Sequence, residues 1–386
     1  MKKLNVAMIG SGFMGKAHSL AYSAMPLHFH PAPALPVRKV LADVTPEIAA
    51  AAAERLQFEE SSGDWREVVA RPDIDIVDIC TPNDSHAEIA IAAAKAGKHI
   101  ICEKPLARDA AEAKSMLDAV EAAGVTHMVA YNYRHTPAVV QAKKLVDEGR
   151  LGSILTFRGH YQQDWSASPD TPLSWRFSKQ VSGSGTLGDI GTHIIDMGRY
   201  ILGEIAEVNA IVRTFINERP RQTGGFDKMG AGSHASAEKG RVDVDDYVQT
   251  LLKFDSGVVG SIEASRNSWG RHNWLGFEIQ GSLGTVIFDY QRMNELRVAF
   301  SDDVADSRGF RTIYSGPAHP YGENLWPVPC LGLGYIEIKL IETYNFFKAI
   351  DEGRPGDPSF RDGYEIARIA DAILESGRTE SWIAVR

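Results

Sequence analysis

The chain has 386 residues, 44% apolar and 24% charged, with a formal net charge of −9 at pH 7. That length exceeds one ordinary hydrophobic core and predicts two domains, while the acidic balance argues against a nucleic-acid-binding role. Three scattered cysteines, Cys80, Cys102 and Cys330, exclude a disulfide framework and suggest a reducing compartment.

No stretch approaches the ~20 apolar residues that span a bilayer, so no membrane partner is expected. Met1-Lys2-Lys3 and the apolar run behind it superficially resemble a signal peptide. That run leads straight into a glycine turn, however, and is read as the first strand of a cytoplasmic protein.

Val6 to Ile9 suits a strand buried on both faces of a parallel sheet, and helical patterning follows from Met14 to about Ala24. Pro26, Pro31, Pro33 and Pro36 make 25–36 an irregular insertion before a strand at Val37 to Ala42. Pro46 then opens a helix. Ile74 to Cys80 is a strand, and Asp84 or Ser85 caps a helix ending at Gly97. His99 to Cys102, Ala107 to Ala123 and Val125 to Ala130 complete the cycle of strand, helix and strand. Such alternation implies βαβ units and a parallel sheet, so 1–134 is expected to be an α/β domain by itself.

From Leu151 onward the texture changes. Tyr247 to Phe254, Val258 to Ser265, Phe277 to Gln280, Thr285 to Phe288 and Leu296 to Phe300 read as strands of an antiparallel meander. Helices return at Tyr335 to Glu352 and Tyr364 to Ser376, and 217–241 is read as a mobile loop. The second domain, 135–386, is expected to be α+β with a large open, mainly antiparallel sheet.

The turn Gly10-Ser11-Gly12-Phe13-Met14-Gly15 has the dinucleotide spacing and the right context, between a strand and a helix. Gly10 makes the tight turn, Gly12 admits the pyrophosphate and Gly15 permits close packing, while the helix N-terminus supplies donors. Phe13, Met14 and His86 are counted with these as cofactor contacts. Asp43, ending the second strand, suits ribose hydroxyls and repels a 2′-phosphate, which favours NAD over NADP. Thr81-Pro82-Asn83 and Glu103-Lys104-Pro105 sit at carboxyl ends of strands, where ligands bind in open α/β sheets. Lys104 there can hydrogen-bond a substrate oxygen or relay its proton.

A third constellation spans Gly183 to Asp196. On a helix, Asp189, His193, Asp196 and Tyr200 share one polar stripe beside an apolar one, and Gly185, Gly188 and Gly191 leave room for a flat partner. Oxidising a secondary alcohol moves a hydride to nicotinamide and a proton to a base. The proton is assigned to His193, its tuning to Asp189, and stabilisation of the developing alkoxide to Lys104. Tyr133, Gln163, Trp165, Trp175 and Arg176 are candidate sugar contacts, although core packing explains each tryptophan equally well. His28-Phe29-His30 lacks further ligands at suitable spacing, and no metal site is predicted.

These motifs together resemble the glucose–fructose oxidoreductase / inositol dehydrogenase (Gfo/Idh/MocA) family over essentially the whole chain. The resemblance implies an N-terminal Rossmann domain, a C-terminal sheet used to form a dimer or tetramer, and Lys104, Asp189 and His193 as catalytic residues. Within the family, Gly12-Phe13-Met14-Gly15-Lys16-Ala17-His18, Gln163-Asp164-Trp165 and Ser174-Trp175-Arg176 are most similar to members that use NAD to oxidise a ring hydroxyl of an anhydro-sugar. Three alternatives stay open. An inositol or other sugar dehydrogenase would keep the same three residues and differ in its pocket. An NAD-assisted glycosidase would release an aglycone without net NADH. A non-catalytic dinucleotide sensor would be expected to lack the lysine or the histidine.

Overall fold

A computed structural model describes residues 1–223 and 234–385. Two compact units account for it, Met1–Asn132 with Leu333–Ala367, and Tyr133–Gly332 with Arg368–Arg386. The second domain expected at 135–386 is therefore not one continuous stretch, because Leu333–Ala367 belongs with the first unit.

The first unit alternates β1 (Lys3–Ile9), α1 (Phe13–His28), β2 (Leu35–Ala42), α2 (Pro46–Leu56), β3 (Glu60–Ser62), α3 (Trp65–Val69), β4 (Ile76–Ile79), α4 (His86–Lys95), β5 (His99–Cys102), α5 (Ala110–Ala123) and β6 (His127–Val129). The six strands lie in the order β3-β2-β1-β4-β5-β6, all parallel. Every residue of β4 is buried, as expected of a strand covered on both faces. Strand order reverses between β1 and β4, the switch point where ligands enter such sheets.

Local chemistry sets several boundaries. The Thr45 side chain accepts from Ile48 N–H ahead of Pro46, Asp109 accepts from Glu112 N–H to start α5, and Gly124 ends it in a left-handed conformation. The proline-rich segment behaves differently from expectation. Helix α1 continues through Pro26 to His28, and Phe29 N–H closes on Met25 O at 2.9 Å. Only 29–34 is irregular.

In the second unit the order is α6 (Pro137–Asp147), β7 (Ile154–Gln162), α7 (Lys179–Ser182), a π turn at Leu187–Gly191, α8 (Thr192–Leu202), β8 (Ile205–Arg213), β9 (Glu218–Thr223), β10 (His234–Arg241), β11 (Tyr247–Phe254), β12 (Val259–Ser265), β13 (Trp274–Gly281), β14 (Gly284–Asp289), β15 (Glu295–Phe300), β16 (Arg311–Tyr314) and α9 (Gly322–Leu325). Helix α10 (Tyr335–Asp351) lies in the first unit, α11 (Phe360–Thr379) leads back to the second, and β17 (Ile383–Ala384) joins its sheet.

The nine-stranded sheet runs β16-β15-β14-β13-β7-β12-β11-β8-β17. Only β7 and β12 pair parallel, so the sheet is mainly antiparallel. The loop expected over 217–241 is corrected in part: Glu218–Thr223 and Arg241–His234 pair as an antiparallel ribbon, and the remainder, 224–233, lies outside the described residues. Among the described residues no helix is long and apolar enough to cross a membrane.

Candidate active site

The glycine turn follows β1 and is shaped by contacts that tolerate no side chain. Gly10 has φ +95°, and a Cβ there would lie 2.7 Å from Cys80 O. At Gly15 a Cβ would meet Gly10 O at 2.5 Å. Gly12 faces open space, and α1 begins behind it without a side-chain cap. Its first N–H groups are thus available to an anion, which fits the pyrophosphate of a dinucleotide.

Asp43, at the end of β2, accepts from Ser11 N–H at 2.9 Å and from Ser11 Oγ at 2.5 Å, both on Oδ2. Its Oδ1 accepts from Val44 N–H at 2.7 Å. The carboxylate therefore joins the end of β2 to the glycine turn. Arg55 of α2 also reaches this turn and donates to Ser11 O at 3.0 Å.

Thr81, Pro82 and Asn83 form the exit from β4, where Ser85 Oγ donates to Thr81 Oγ1 at 2.7 Å. His86, counted among the cofactor contacts, is held by the backbone of two loops. It is fully buried, with Nε2 3.0 Å from Thr81 O and Nδ1 3.1 Å from Pro105 O. Burial holds its pKa below the ordinary histidine value. The ring ties the loop after β4 to the loop after β5.

Glu103, also counted among the cofactor contacts, has both side-chain oxygens engaged inside the protein. Oε1 accepts from Lys339 Nζ at 2.7 Å and lies 3.0 Å from His18 Nε2. Oε2 accepts from the backbone N–H of Lys104 at 3.1 Å. Lys104 itself is half-buried at the end of β5. Tyr335, which starts α10, brings its ring 5.7 Å from exposed Phe13 and its hydroxyl 3.4 Å from Met14 Sδ. The sequence reading missed this aromatic pair beside the glycine turn.

Nearby, His18, Asp78 and Cys80 place ligand-type atoms within 4.8 Å of one another. Tyr22 Oη donates to Asp78 at 2.8 Å, and His18 Nδ1 lies 2.9 Å from the same carboxylate. Burial, then the Asp78 charge, pushes the Cys80 thiol up to about 12. These contacts describe a hydrogen-bonded cluster rather than a cation site.

In the second unit, Asp189 sits in the π turn and His193 in the first turn of α8. A π turn widens the helix locally and is frequent at functional sites. Arg266, at the end of β12, is fully buried and donates to Asp189 Oδ2 at 3.3 Å. His193 is 4% exposed, and its ring centroid lies 4.5 Å from that of Tyr133. Tyr133 Oη pairs with Tyr161 Oη at 3.0 Å, Tyr161 donates to Asn273 Oδ1 at 2.7 Å, and Gln163 Nε2 reaches the same oxygen at 2.7 Å. Burial and then Tyr133 hold the Tyr161 phenol well above its usual pKa. His193, Tyr133, Tyr161, Asn273 and Gln163 thus form one chain of aromatic and polar contacts.

The expected polar stripe on α8 divides. Asp196 is taken by Arg134 in a buried bidentate pair, with Arg134 Nε 3.0 Å from Oδ2, and Arg134 lies over the Tyr200 ring at 4.8 Å. Gly185, before the stripe, is also spoken for. A Cβ on Gly185 would lie 2.0 Å from Asp245 O, and the Asp245 carboxylate accepts from Gly185 N–H at 2.7 Å and from Leu187 N–H at 2.8 Å. Backbone, not a flat ligand, fills that space.

The candidate sugar contacts separate similarly. Trp165 packs on a small core of Phe177, Val242 and Val244, with the Arg266 guanidinium 5.1 Å from its ring. Arg176 covers the Trp175 ring at 4.4 Å. Core packing is what the structure adds for Trp165, and Arg176 and Trp175 make a half-buried pair.

Comparison with known proteins agrees with this architecture. Residues 4–131 match the oxidoreductase family with an NAD-binding Rossmann fold, and residues 139–287 match the GFO/IDH/MocA C-terminal domain. The chain belongs to the Gfo/Idh/MocA family of NAD-binding oxidoreductases. It is similar to levoglucosan dehydrogenase of Pseudarthrobacter phenanthrenivorans, with 61% identity over 100% of this chain and 99% of the relative. A solved structure of levoglucosan dehydrogenase in complex with NADH and levoglucosan superimposes with a TM-score of 0.95 at 59% identity, covering 100% of both chains. Inositol 2-dehydrogenase of Rhizobium meliloti is more distant, 28% identical over 98% of each chain.

Proposed function

We propose that this oxidoreductase converts a secondary ring hydroxyl of an anhydro-sugar of the levoglucosan type to a ketone, with NAD as acceptor. The observation that carries this reading is the 61% identity with a levoglucosan dehydrogenase along the entire chain. Lys104 at the exit of β5 and His193 on α8 supply the chemistry that such a step needs.

The uncapped N-terminus of α1, the open space at Gly12 and Asp43 at the end of β2 suit the dinucleotide. When bound, nicotinamide accepts the hydride from the carbinol carbon. His193 takes the hydroxyl proton as general base, so carbon loses a hydride and oxygen a proton, leaving the carbonyl. Lys104 hydrogen-bonds the same oxygen and stabilises the negative charge that develops on it. Asp189, fixed by Arg266, presents a carboxylate one turn from His193 and stabilises the imidazolium formed. Tyr133 and Gln163 line the sugar site, and Trp175 and Arg176 border it.

The protein is read as a homo-oligomer formed through the nine-stranded sheet. Ile211, Leu251 and Val259 are each about half exposed on β8, β11 and β12, an apolar strip. Three free thiols support a cytoplasmic setting.

The test is turnover of purified protein with NAD and a panel of levoglucosan, myo-inositol and scyllo-inositol, followed by NADH absorbance and identification of the product. NADH formed with levoglucosan at a kcat/KM well above that for either inositol is expected. Preference for an inositol moves the protein to the neighbouring branch. Release of an aglycone without net NADH replaces oxidation by elimination chemistry.

A further inference from the structure

Behind the glycine turn lies a buried charged cluster that the proposed chemistry does not use. His18 and Tyr22 come from α1, Asp78 from β4, Glu103 from the end of β5, and Lys339 and Glu342 from α10. All six are buried within the first unit. Lys339 Nζ donates to Glu103 Oε1 at 2.7 Å and to Glu342 Oε2 at 2.9 Å, and lies 3.0 Å from His18 Nε2. Burial disfavours the lysine charge, but Glu103 and then Glu342 hold its pKa above the usual value.

Such a cluster calls for a reason, because buried ion pairs can often be replaced by apolar residues without loss of stability. The division of labour at Glu103 supplies one. Oε1 receives Lys339 and His18, whereas Oε2 receives the backbone N–H of Lys104. Burial alone would raise the Glu103 pKa, yet Lys339 and His18 keep it far below the ordinary carboxylate range. Glu103 is therefore held as a carboxylate, with one oxygen anchored and the other fixing the peptide that carries Lys104. A half-buried lysine on a flexible stem needs such an anchor to keep its amine in place.

We propose that Lys339 is a positioning residue, which acts through Glu103 to set the backbone of Lys104. Helix α10 thereby reaches the candidate active site from a part of the sequence far from either nucleotide motif. His18 serves the same carboxylate from α1, and Asp78 and Tyr22 orient His18. This inference rests on the reading of Lys104 as a catalytic residue.

The experiment is a double-mutant cycle on the full-length protein between Lys339→Met and Lys104→Ala. The readouts are the single-turnover rate of NADH formation and, separately, NADH affinity by fluorescence. Lys339→Met alone is expected to slow hydride transfer by about 100-fold, the scale of a ~1 Å misplacement, with NADH affinity unchanged. In the Lys104→Ala background the same substitution is expected to slow the rate little further, because its route to the chemistry is already gone. A full additional loss in that background, or a loss of NADH affinity that accounts for the whole effect, overturns the proposal. If Lys104→Ala retains wild-type turnover, the catalytic reading of Lys104 fails first, and that result is distinct. Should Lys339→Met not fold, Glu103→Gln carries the same cycle, since it is isosteric and leaves Lys339 paired with Glu342.

Discussion

Arg266 and Asp189 meet at 3.3 Å inside the second unit, joining the end of β12 to the π turn that precedes His193. The guanidinium is fully buried beside the Trp165 and Phe177 rings, at 5.1 Å and 5.2 Å from them. Its place is therefore set by packing as well as by charge, and it gives Asp189 one defined orientation. Arg266→Met keeps the stem but removes the charge. We expect kcat to fall with KM for NAD unchanged, and stability to fall by about 1 to 3 kcal/mol, the range for leaving a partly buried polar group without its partner. Steady-state kinetics and urea unfolding check both.

Lys104→Ala tests the other half of the chemistry. On the proposed role, a contact from Lys104 to the substrate oxygen would strengthen as negative charge develops, so its loss should appear in kcat and kcat/KM together. Turnover should fall by about 10² to 10³, while NADH fluorescence titration gives nearly wild-type affinity. An alanine variant with normal turnover would falsify the role of Lys104.

Gly10→Ala probes the cofactor turn. The backbone there has φ +95° and a Cβ would lie 2.7 Å from Cys80 O, so the turn must move. Stability should drop by about 1 to 3 kcal/mol, and NADH affinity should fall with it. Gly12→Ala makes a contrasting probe, since no protein atom crowds that position. It should fold normally and lose affinity through the close approach of the pyrophosphate alone. Thermal melts with and without NADH separate the two.

The first unit should lose stability in mild acid. Burial lowers the His127 pKa to about 4, and Nδ1 of the neutral ring accepts from Phe360 N–H at 3.1 Å. Between about pH 6.5 and pH 4 the unfolded chain binds a proton that the folded one does not, so stability falls as pH falls through that window. At pH 5 the contribution from this one residue is about 2 kcal/mol. Chemical unfolding at pH 7 and pH 5 should show a shallower loss for His127→Gln than for the parent protein.

Much of the first unit is legible because each signal is local. The Gly10 to Gly15 turn, the strand at His99–Cys102 and the Gly124 stop need only neighbours in sequence to be read. In the second unit, Tyr247–Phe254 alternates buried and exposed along its whole length and was legible for the same reason. Strand β7 was not, although it sits near the middle of its sheet, because Gly159 and His160 interrupt its apolar pattern. Gly159 is required where Ile194 of α8 would come within 2.4 Å of a Cβ, a constraint visible only in three dimensions.

Partners far apart in sequence account for the contacts at the candidate site that the sequence does not show. Asp196 looked like a second carboxylate for His193 until Arg134, 62 residues away, claimed it. Glu103 looked like a ligand residue because its partner Lys339 lies 236 residues downstream. One faint signal was present. Lys339 and Glu342 interrupt the apolar run from Ile338 to Phe347 at helical spacing, as a buried pair does.

The return of Leu333–Ala367 to the first unit bears on how this protein can be built and rebuilt. During translation all of Tyr133–Gly332 emerges before α10 exists, so the nucleotide half waits with His18 and Glu103 uncovered on one flank. A chimera that borrows only residues 1–132 inherits that open flank. Recombination between relatives in this family should therefore succeed when the crossover carries both pieces together, and fail when it treats the amino-terminal half as a portable cassette.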